Sequence, residues 1–484
     1  LSLTAEIFSE FRSVVGERAV LAAPDELRTY ECDGLTNFRV IPGAVLLPAS
    51  TEEVQGIVRI CHRERIPFVA RGSGTGLSGG ALPVVNGIVI SLARMNRILE
   101  ADLLNARVVV EPGVINVDVT SRVAQARYFY APDPSSQSVC SIGGNVAENS
   151  GGAHCLKYGF TTTHVLALEV VLPDGTLVHL GKKTLDAPGY DLAGVFVGSE
   201  GTLGIATKIT LRIVKRPECI QTLLAAFPST TEAGAAVSGI IAAGIVPAAI
   251  EMMDNLAIQA AEAAVHPNYP NCGGLLLVEL DGPEAEVQTL RALVDEICRS
   301  HGAEEIRLAQ TETERALFWK GRKAAFASVG RLSPNYIVQD GVIPRTALPE
   351  VLIEIYALGA ASGLRVANVF HAGDGNLHPL VMYDRRIPGQ EHAAEVLSSR
   401  ILELCIEKGG SITGEHGVGE EKKHMLGKMF SEPDLETMQR VRCAFDPLLL
   451  SNPTKVFPRP RLCGEQPGEY VPHPLETAGV AERF

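Results

Sequence analysis

The stretch VARGSGTGLSGG, residues 69 to 80, places glycines at 72, 74, 76, 79 and 80 directly behind an apolar run. Glycines at that density let backbone N–H groups approach an anion closely, and Arg71 adds a fixed positive charge. No Gly-Lys-Ser/Thr follows, so this is not a Walker loop, and no clean G-x-G-x-x-G opens a helix. Taken alone, a flexible turn and a phosphate cradle are equally good readings. The approach to the loop is ordered. AVLLPASTEEVQGIVRICHRERIPFVA, residues 44 to 70, reads as a strand, a Ser50/Thr51 N-cap, a helix and a second strand.

Two further segments have the same character. APDPSSQSVCSIGGNVAENSGG (131 to 152) and GSEGTLGI (198 to 205) are dense in Gly, Ser and Pro. Three small-residue loops in one region suit an extended, doubly phosphorylated cofactor packed against backbone. Short apolar strands lie between them, among them GIVISL, ARVVVEPG and LALEVVLPDG. GTLGIATKITLRIVKRP closes the region with an alternating strand, and Lys215-Arg216-Pro217 is the expected boundary of a cofactor domain spanning residues 1–217. Its opening segment, to about residue 28, reads as one amphipathic helix carrying Ile7, Phe8, Phe11, Val14 and Val15. Residues 218–430 alternate helices such as AEVQTLRALVDEICRSHG with strands such as GGLLLVELDG, which predicts an α+β substrate domain. Residues 431–484 add one helix, DLETMQRVRCAFDP, and an extended arm, LSNPTKVFP.

Within the second domain, VFHAGDGNLHPL (369 to 380) sets two histidines around a polar turn. Asp-Gly and Gly-Asn favour tight turns. A hairpin with a four-residue loop makes Ala372 and Leu377 the closing pair and sets His371 opposite His378. Directly opposed residues have Cβ atoms about 5 Å apart, close enough for two imidazoles to share one ion. SITGEHGVGEEKK (411 to 423) offers Glu415 as a third ligand, and two nitrogens with one carboxylate leave a catalytic ion an open position. His416 is then free to act as a base. A histidine pair beside a turn is also an ordinary core feature, the spacing of a calcium EF-hand is missing, and the same ligand set holds iron in oxygenases. In FWKGRKAAF, Arg322 is the candidate guanidinium for a substrate carboxylate, although a helix bearing Lys320, Arg322 and Lys323 is commonly just solvated.

The whole chain narrows the function. Its 484 residues exceed one ordinary core, and 46% hydrophobic with 20% charged residues is a globular composition. A net charge of −13 with a single Trp argues against nucleic acid as a partner. Ten cysteines without one C-x-x-C argue against an iron–sulfur centre and predict reduced thiols in a cytoplasmic protein. No signal peptide is expected, and the most apolar run, GIIAAGIVPAAIEMM, is too short for a span and broken by Pro247.

PFVARGSGTGLSGGA, PDPSS, SIGGNVAENSGG and VGSEGTLGI together resemble the FAD-binding domain of the vanillyl-alcohol oxidase/p-cresol methylhydroxylase (PCMH) superfamily. HAGDGNLHPL and GGSITGEHGVGEEK narrow the resemblance to the FAD-linked 2-hydroxy-acid dehydrogenases. The tail, FDPLLLSNPTKVFP with its closing ERF, is most similar to the bacterial glycolate oxidase branch. The likeness implies a two-subdomain PCMH-type FAD-binding domain, an α+β cap domain with an antiparallel sheet, and a C-terminal segment that returns to the FAD domain. It implies that Arg71, Gly72, Ser73, Gly74, Thr75, Gly76, Leu77 and Gly80 embrace the FAD pyrophosphate. Pro132, Asp133, Pro134, Ser135, Ser136, Gly143, Asn145, Ser150, Gly151 and Gly152 would follow the flavin and ribityl chain. Glu200, Gly201 and Ile205 would lie near the adenine, and Asn452 would reach back from the tail. Many members of the superfamily attach FAD through a His in the first loop; Gly74-Thr75-Gly76 stands there, which implies dissociable FAD.

The same likeness gives His371, His378 and Glu415 to a divalent metal, zinc by its chemistry, and makes His416 the base and Arg322 the substrate clamp. The implied reaction oxidises a small 2-hydroxy acid, glycolate or its near neighbour D-lactate, to the 2-oxo acid. His416 takes the hydroxyl proton as hydride leaves C2 for flavin N5. Some relatives place a Lys and an Asn in the pocket where Val338 and Leu380 stand, which favours a smaller, less polar acid than a dicarboxylate. Electrons would pass on through other redox subunits, an iron–sulfur subunit among them, at the inner face of the cell membrane. A flavin-carrying subunit without catalysis is the competing class.

Overall fold

A computed structural model describes residues 3–184, 188–458 and Cys463. The stretch around the first glycine loop folds as its sequence predicts. Strand Ala44–Leu46 leads into helix Thr51–Glu64, whose N-cap Ser50 accepts the Glu53 N–H, and strand Phe68–Arg71 delivers the loop. Both strands lie parallel to Ile88–Ser91, with Val20–Leu21 antiparallel on the outer edge, in a four-stranded sheet. That edge strand corrects the reading of one opening helix. The helix Ala5–Val15 stops at Gly16, where φ is +85°, and Val20 and Leu21 pair with Leu46 and Val45 before a short helix, Pro24–Arg28.

A second, antiparallel sheet of five strands runs in the order Ile98–Asp102, Arg107–Val110, Ile205–Arg212, Val165–Val171, Leu177–Gly181. Each of the two sheets packs its own apolar core, one around Phe11, Ile57 and Phe68 and the other around Val119, Ile142 and Ile209. The first glycine-rich loop follows strand Phe68–Arg71 of the first sheet, and the third precedes strand Ile205–Arg212 of the second.

Beyond Arg216-Pro217 the chain builds an eight-stranded sheet whose pairings are antiparallel throughout. Its central strands are almost fully buried because both faces are covered. Gly274–Gly282 is buried over eight of its nine residues. Helices Thr230–Ala242, Glu284–Ser300, Leu348–Ser362 and Gln390–Glu407 cover one face. Asn255–Val265 and Glu312–Val329 cover the other.

The tail returns to the first sheet. After helix Glu432–Phe445, Phe68 donates its N–H to Leu450 O and accepts that of Asn452, so residues 450–452 extend the strand that carries the glycine loop. The expectation of reduced thiols fails at one place. Cys443 and Cys463, 20 residues apart, form a disulfide that fastens this helix to the arm. Their spacing of 20 residues, with no C-x-x-C, gives no hint of it. The ERF that ends the sequence lies outside the described residues.

Candidate active site

The two histidines are carried by the hairpin Arg365–His371 and Asn376–Tyr383. Its register differs from the sequence expectation. His371 pairs with Asn376 and His378 with Val369, so the loop is Ala372–Gly375 and the imidazoles sit on one face as diagonal neighbours. The turn itself dictates this. Asp374 accepts the Asn376 N–H, and Gly375 takes the left-handed φ of +82°. The rings still meet, with centroids 5.1 Å apart and planes nearly perpendicular.

Each imidazole is oriented from behind. His371 Nδ1 donates to Glu251, at 2.8 and 3.0 Å from its two oxygens, and His378 Nδ1 donates to Gln339 O at 3.2 Å. These partners only accept, so each ring carries a proton on Nδ1 and both Nε2 atoms face inward. Neither Nε2 makes a hydrogen bond, although both are buried. They face Glu415 Oε1 at 3.4 Å from His371 and 3.2 Å from His378. Three potential ligand atoms therefore converge within 4.8 Å of one another. A divalent cation fits that set, and the outer carboxylate on His371 is the usual support of a ligating imidazole.

A second grouping, Asp340, His378 and His416, has similar spacing, but the Asp340 carboxylate is already saturated. It accepts Thr413 Oγ1 at 2.6 Å, Asn376 Nδ2 at 2.8 Å, the His416 N–H at 2.9 Å and the Gly414 N–H at 3.0 Å. The Glu415 N–H and Lys422 Nζ complete its shell. Burial works against its charge, but His416, Lys422 and His378 hold it well below the usual carboxylate range. Asp340 thus organises the loop that carries Glu415 and His416. His416 stacks on His378 at 5.1 Å, and its Nε2 lies 3.9 Å from Glu415 Oε1. Burial pushes its imidazole down to about 4 against the pull of Asp340, so the ring is neutral near pH 7 and able to accept a proton.

Glu415 and His416 open onto a cleft of about 670 Å³. Seventeen expected cofactor residues line it: Arg71 to Leu77, Gly80, Pro134, Ser135, Ser136, Gly143, Asn145, Ser150, Glu200, Gly201 and Ile205. The close backbone approach is real, since a Cβ on Gly72 would strike Ser141 Oγ and one on Gly143 would strike Pro112. Pro132, Asp133, Gly151, Gly152 and Asn452 stand behind the wall. Asn452 Nδ2 ties Gly80 O to Glu200 O, and Asp133 receives the His154 ring. Glu200 lines the cleft and also fastens its wall. Its carboxylate accepts the N–H groups of Val418 at 2.7 Å and Gly419 at 2.6 Å, locking a cofactor loop to the loop that bears His416.

Comparison with known proteins matches this architecture. Residues 42–181 fit the FAD binding domain model, and residues 216–456 fit that of the FAD linked oxidases, C-terminal domain. The chain is 50% identical over 466 residues to glycolate oxidase subunit GlcD of Escherichia coli strain K12, covering 96% of this chain and 93% of that one. It is 40% identical to GlcD of Bacillus subtilis strain 168, over 88% and 92% of the two chains. It belongs to the FAD-linked oxidases. The fold of 4-ethylphenol oxidase from Gulosibacter chungangensis superimposes with a TM-score of 0.77 at 19% identity, over 94% of this chain and 98% of that one.

In this FAD-linked oxidase the sequence reading missed the groups that orient the site. Glu251 was legible as the acid in the middle of the buried strand AIEMMD, and Asp340 as the acid closing IVQDG. Segment 34–37, which also lines the cleft, carries no comparable signal. Arg322 lies apart from the cleft wall. It is 2% exposed and pairs with Glu251 at 2.5 Å, behind Phe326.

Proposed function

We propose that this FAD-linked oxidase converts glycolate, and less readily D-lactate, to the 2-oxo acid at a metal site beside the flavin cleft. The observation that carries the reading is the inward convergence of His371 Nε2, His378 Nε2 and Glu415 Oε1 next to a neutral His416 on the cleft wall. The Escherichia coli and Bacillus subtilis relatives are glycolate oxidase subunits, which supports the same substrate. In this reading residues 1–217 are the cofactor domain, 218–430 the cap that brings the ligands, and 431–484 the C-terminal segment, of which residues 450–452 pair beside the strand that carries the first glycine loop.

His371, His378 and Glu415 would hold a divalent ion, zinc by its preference for nitrogen and carboxylate donors, which supplies Lewis acidity toward a hydroxyl. The glycine loops would hold FAD without a covalent bond, and FAD supplies the hydride acceptor. The chain's own groups do the rest. Glu251 and Gln339 keep the Nε2 atoms turned inward. His416 takes the substrate hydroxyl proton at Nε2, the nitrogen nearer Glu415. Arg322, which stands behind Phe326 in an ion pair with Glu251, would supply positive potential toward the substrate carboxylate from behind the cleft wall. Electrons leave through partner subunits, an iron–sulfur protein among them, since the chain has no C-x-x-C of its own. Among the described residues no helix is long and apolar enough to cross a membrane, so we assign attachment at the inner face of the cell membrane to those partners.

Anaerobic addition of glycolate to the purified holoprotein should bleach the flavin absorbance. Absence of bleaching with glycolate and with D-lactate would overturn the reading and leave a flavin-carrying subunit of a redox complex.

A further inference from the structure

We infer that Phe326 sets the size of the acid this site accepts, an inference that rests on the 2-hydroxy-acid reading above. Phe326 lies in helix Glu312–Val329, one turn beyond Arg322, and its ring is part of the cleft wall. The ring stands edge-on to His378 with centroids 5.5 Å apart, and the Arg322 guanidinium lies 5.4 Å from its centroid. One aromatic side chain thus touches a proposed metal ligand and the cation proposed for the carboxylate, while facing the space where substrate must lie.

An acid held beside His378 and His416 has two anchored ends, its hydroxyl and its carboxylate. The substituent on C2 is the part left over, and Phe326 is the wall it meets. Val338, also on that wall, is the cross-strand partner of fully buried Leu380, two residues beyond His378, so the surroundings of the ring are apolar. Glycolate brings only hydrogen there, and D-lactate brings one methyl. A longer alkyl chain must displace the ring. The ring accordingly works as a steric stop one or two carbons deep.

The test uses holoenzyme carrying Phe326→Leu or Phe326→Ala, with anaerobic flavin reduction followed for glycolate, D-lactate and D-2-hydroxybutyrate. One methylene in an apolar pocket typically discriminates about 10–200-fold. Both variants should therefore lower the kcat/KM preference for glycolate over D-2-hydroxybutyrate by about 10-fold or more. Should Phe326→Ala lose FAD because the ring also packs on the core, Phe326→Leu decides. An unchanged preference in a variant that retains FAD overturns the inference, and so does a uniform loss on all three acids. Wild-type flavin that none of the acids reduces would instead refute the underlying reading, an outcome visible before any variant is made.

Discussion

Glu251 and His416 sit on opposite sides of the ligand cluster and act in different ways. Glu251 is fully buried, and its carboxylate serves both His371 Nδ1 and Arg322. Removing its charge leaves a buried guanidinium without its counter-ion, which typically costs about 3–5 kcal/mol. Loss of the carboxylate behind a ligating histidine typically weakens metal binding about 10–100-fold. Glu251→Gln should show both effects, the first in chemical denaturation and the second in chelator competition. His416 makes no such structural contribution, because its ring is held by stacking on His378 and by the backbone bond to Asp340. His416→Ala should keep the bound-flavin spectrum and the metal content while flavin reduction by glycolate slows about 10²–10⁴-fold, the usual worth of a positioned base. Retained reduction would remove His416 from the chemistry.

At the level of elements, the hairpin turn and the two interlocked loops decide whether these side chains meet. Gly375 combines a φ of +82° with a position where a Cβ would press into Ile343 O. Gly389 has a similar φ of +85° and open space around it. Gly375→Ala should therefore destabilise by about 1–3 kcal/mol, and Gly389→Ala by about 1 kcal/mol or less, when the two are compared by urea unfolding. Equal effects would mean that the turn tolerates a different register. The cofactor loops are fastened to the loop that bears His416 by backbone N–H groups of the latter. Glu200 accepts from Val418 and Gly419, while Ser78 O accepts from Glu420 and Glu421. The position of His416 is thereby tied to the walls of the flavin cleft.

Across the whole molecule, one histidine bridges the cofactor region and the cap sheet. His154 bonds Asp133 at 2.9 Å and Glu279 at 3.1 Å. Glu279 also accepts from Thr222, Arg315 and Trp319. Burial acts to lower the His154 pKa, but the charges and hydrogen bonds of Asp133 and Glu279 raise it to about 10. The same bridge, against burial, lowers Glu279 to about 2. An unfolded histidine titrates near 6.5. The stabilisation from His154 is therefore complete below about pH 6.5 and is lost as pH rises toward 10, where the folded state alone still holds the proton. Unfolding free energy should fall between pH 7 and 10 in the wild type, and His154→Gln should show a shallower fall over the same range. Parallel profiles would mean that the bridge contributes no proton linkage.

How much of this was legible follows the range of the interactions. The strand, Ser50 cap, helix and glycine loop at residues 44–80 were readable because each signal lies within one or two turns of the residue it controls. The small-residue loops, the histidine pair and Glu415-His416 stood out for the same reason, since chemistry is written in short runs. The hairpin register escaped, because two loops of equal length compete and only the Asp374 side chain and the Gly375 backbone choose between them. Glu251 meets His371 across 120 positions and Asp340 meets His416 across 76. The disulfide and the bridge through His154 likewise join segments that nothing local connects. Local sequence by itself determined most of the elements and which residues were candidates for the site, through backbone sterics and capping. Only the tertiary structure decided which lone pairs face one another, because that depends on buried partners whose separation along the chain leaves no periodic trace.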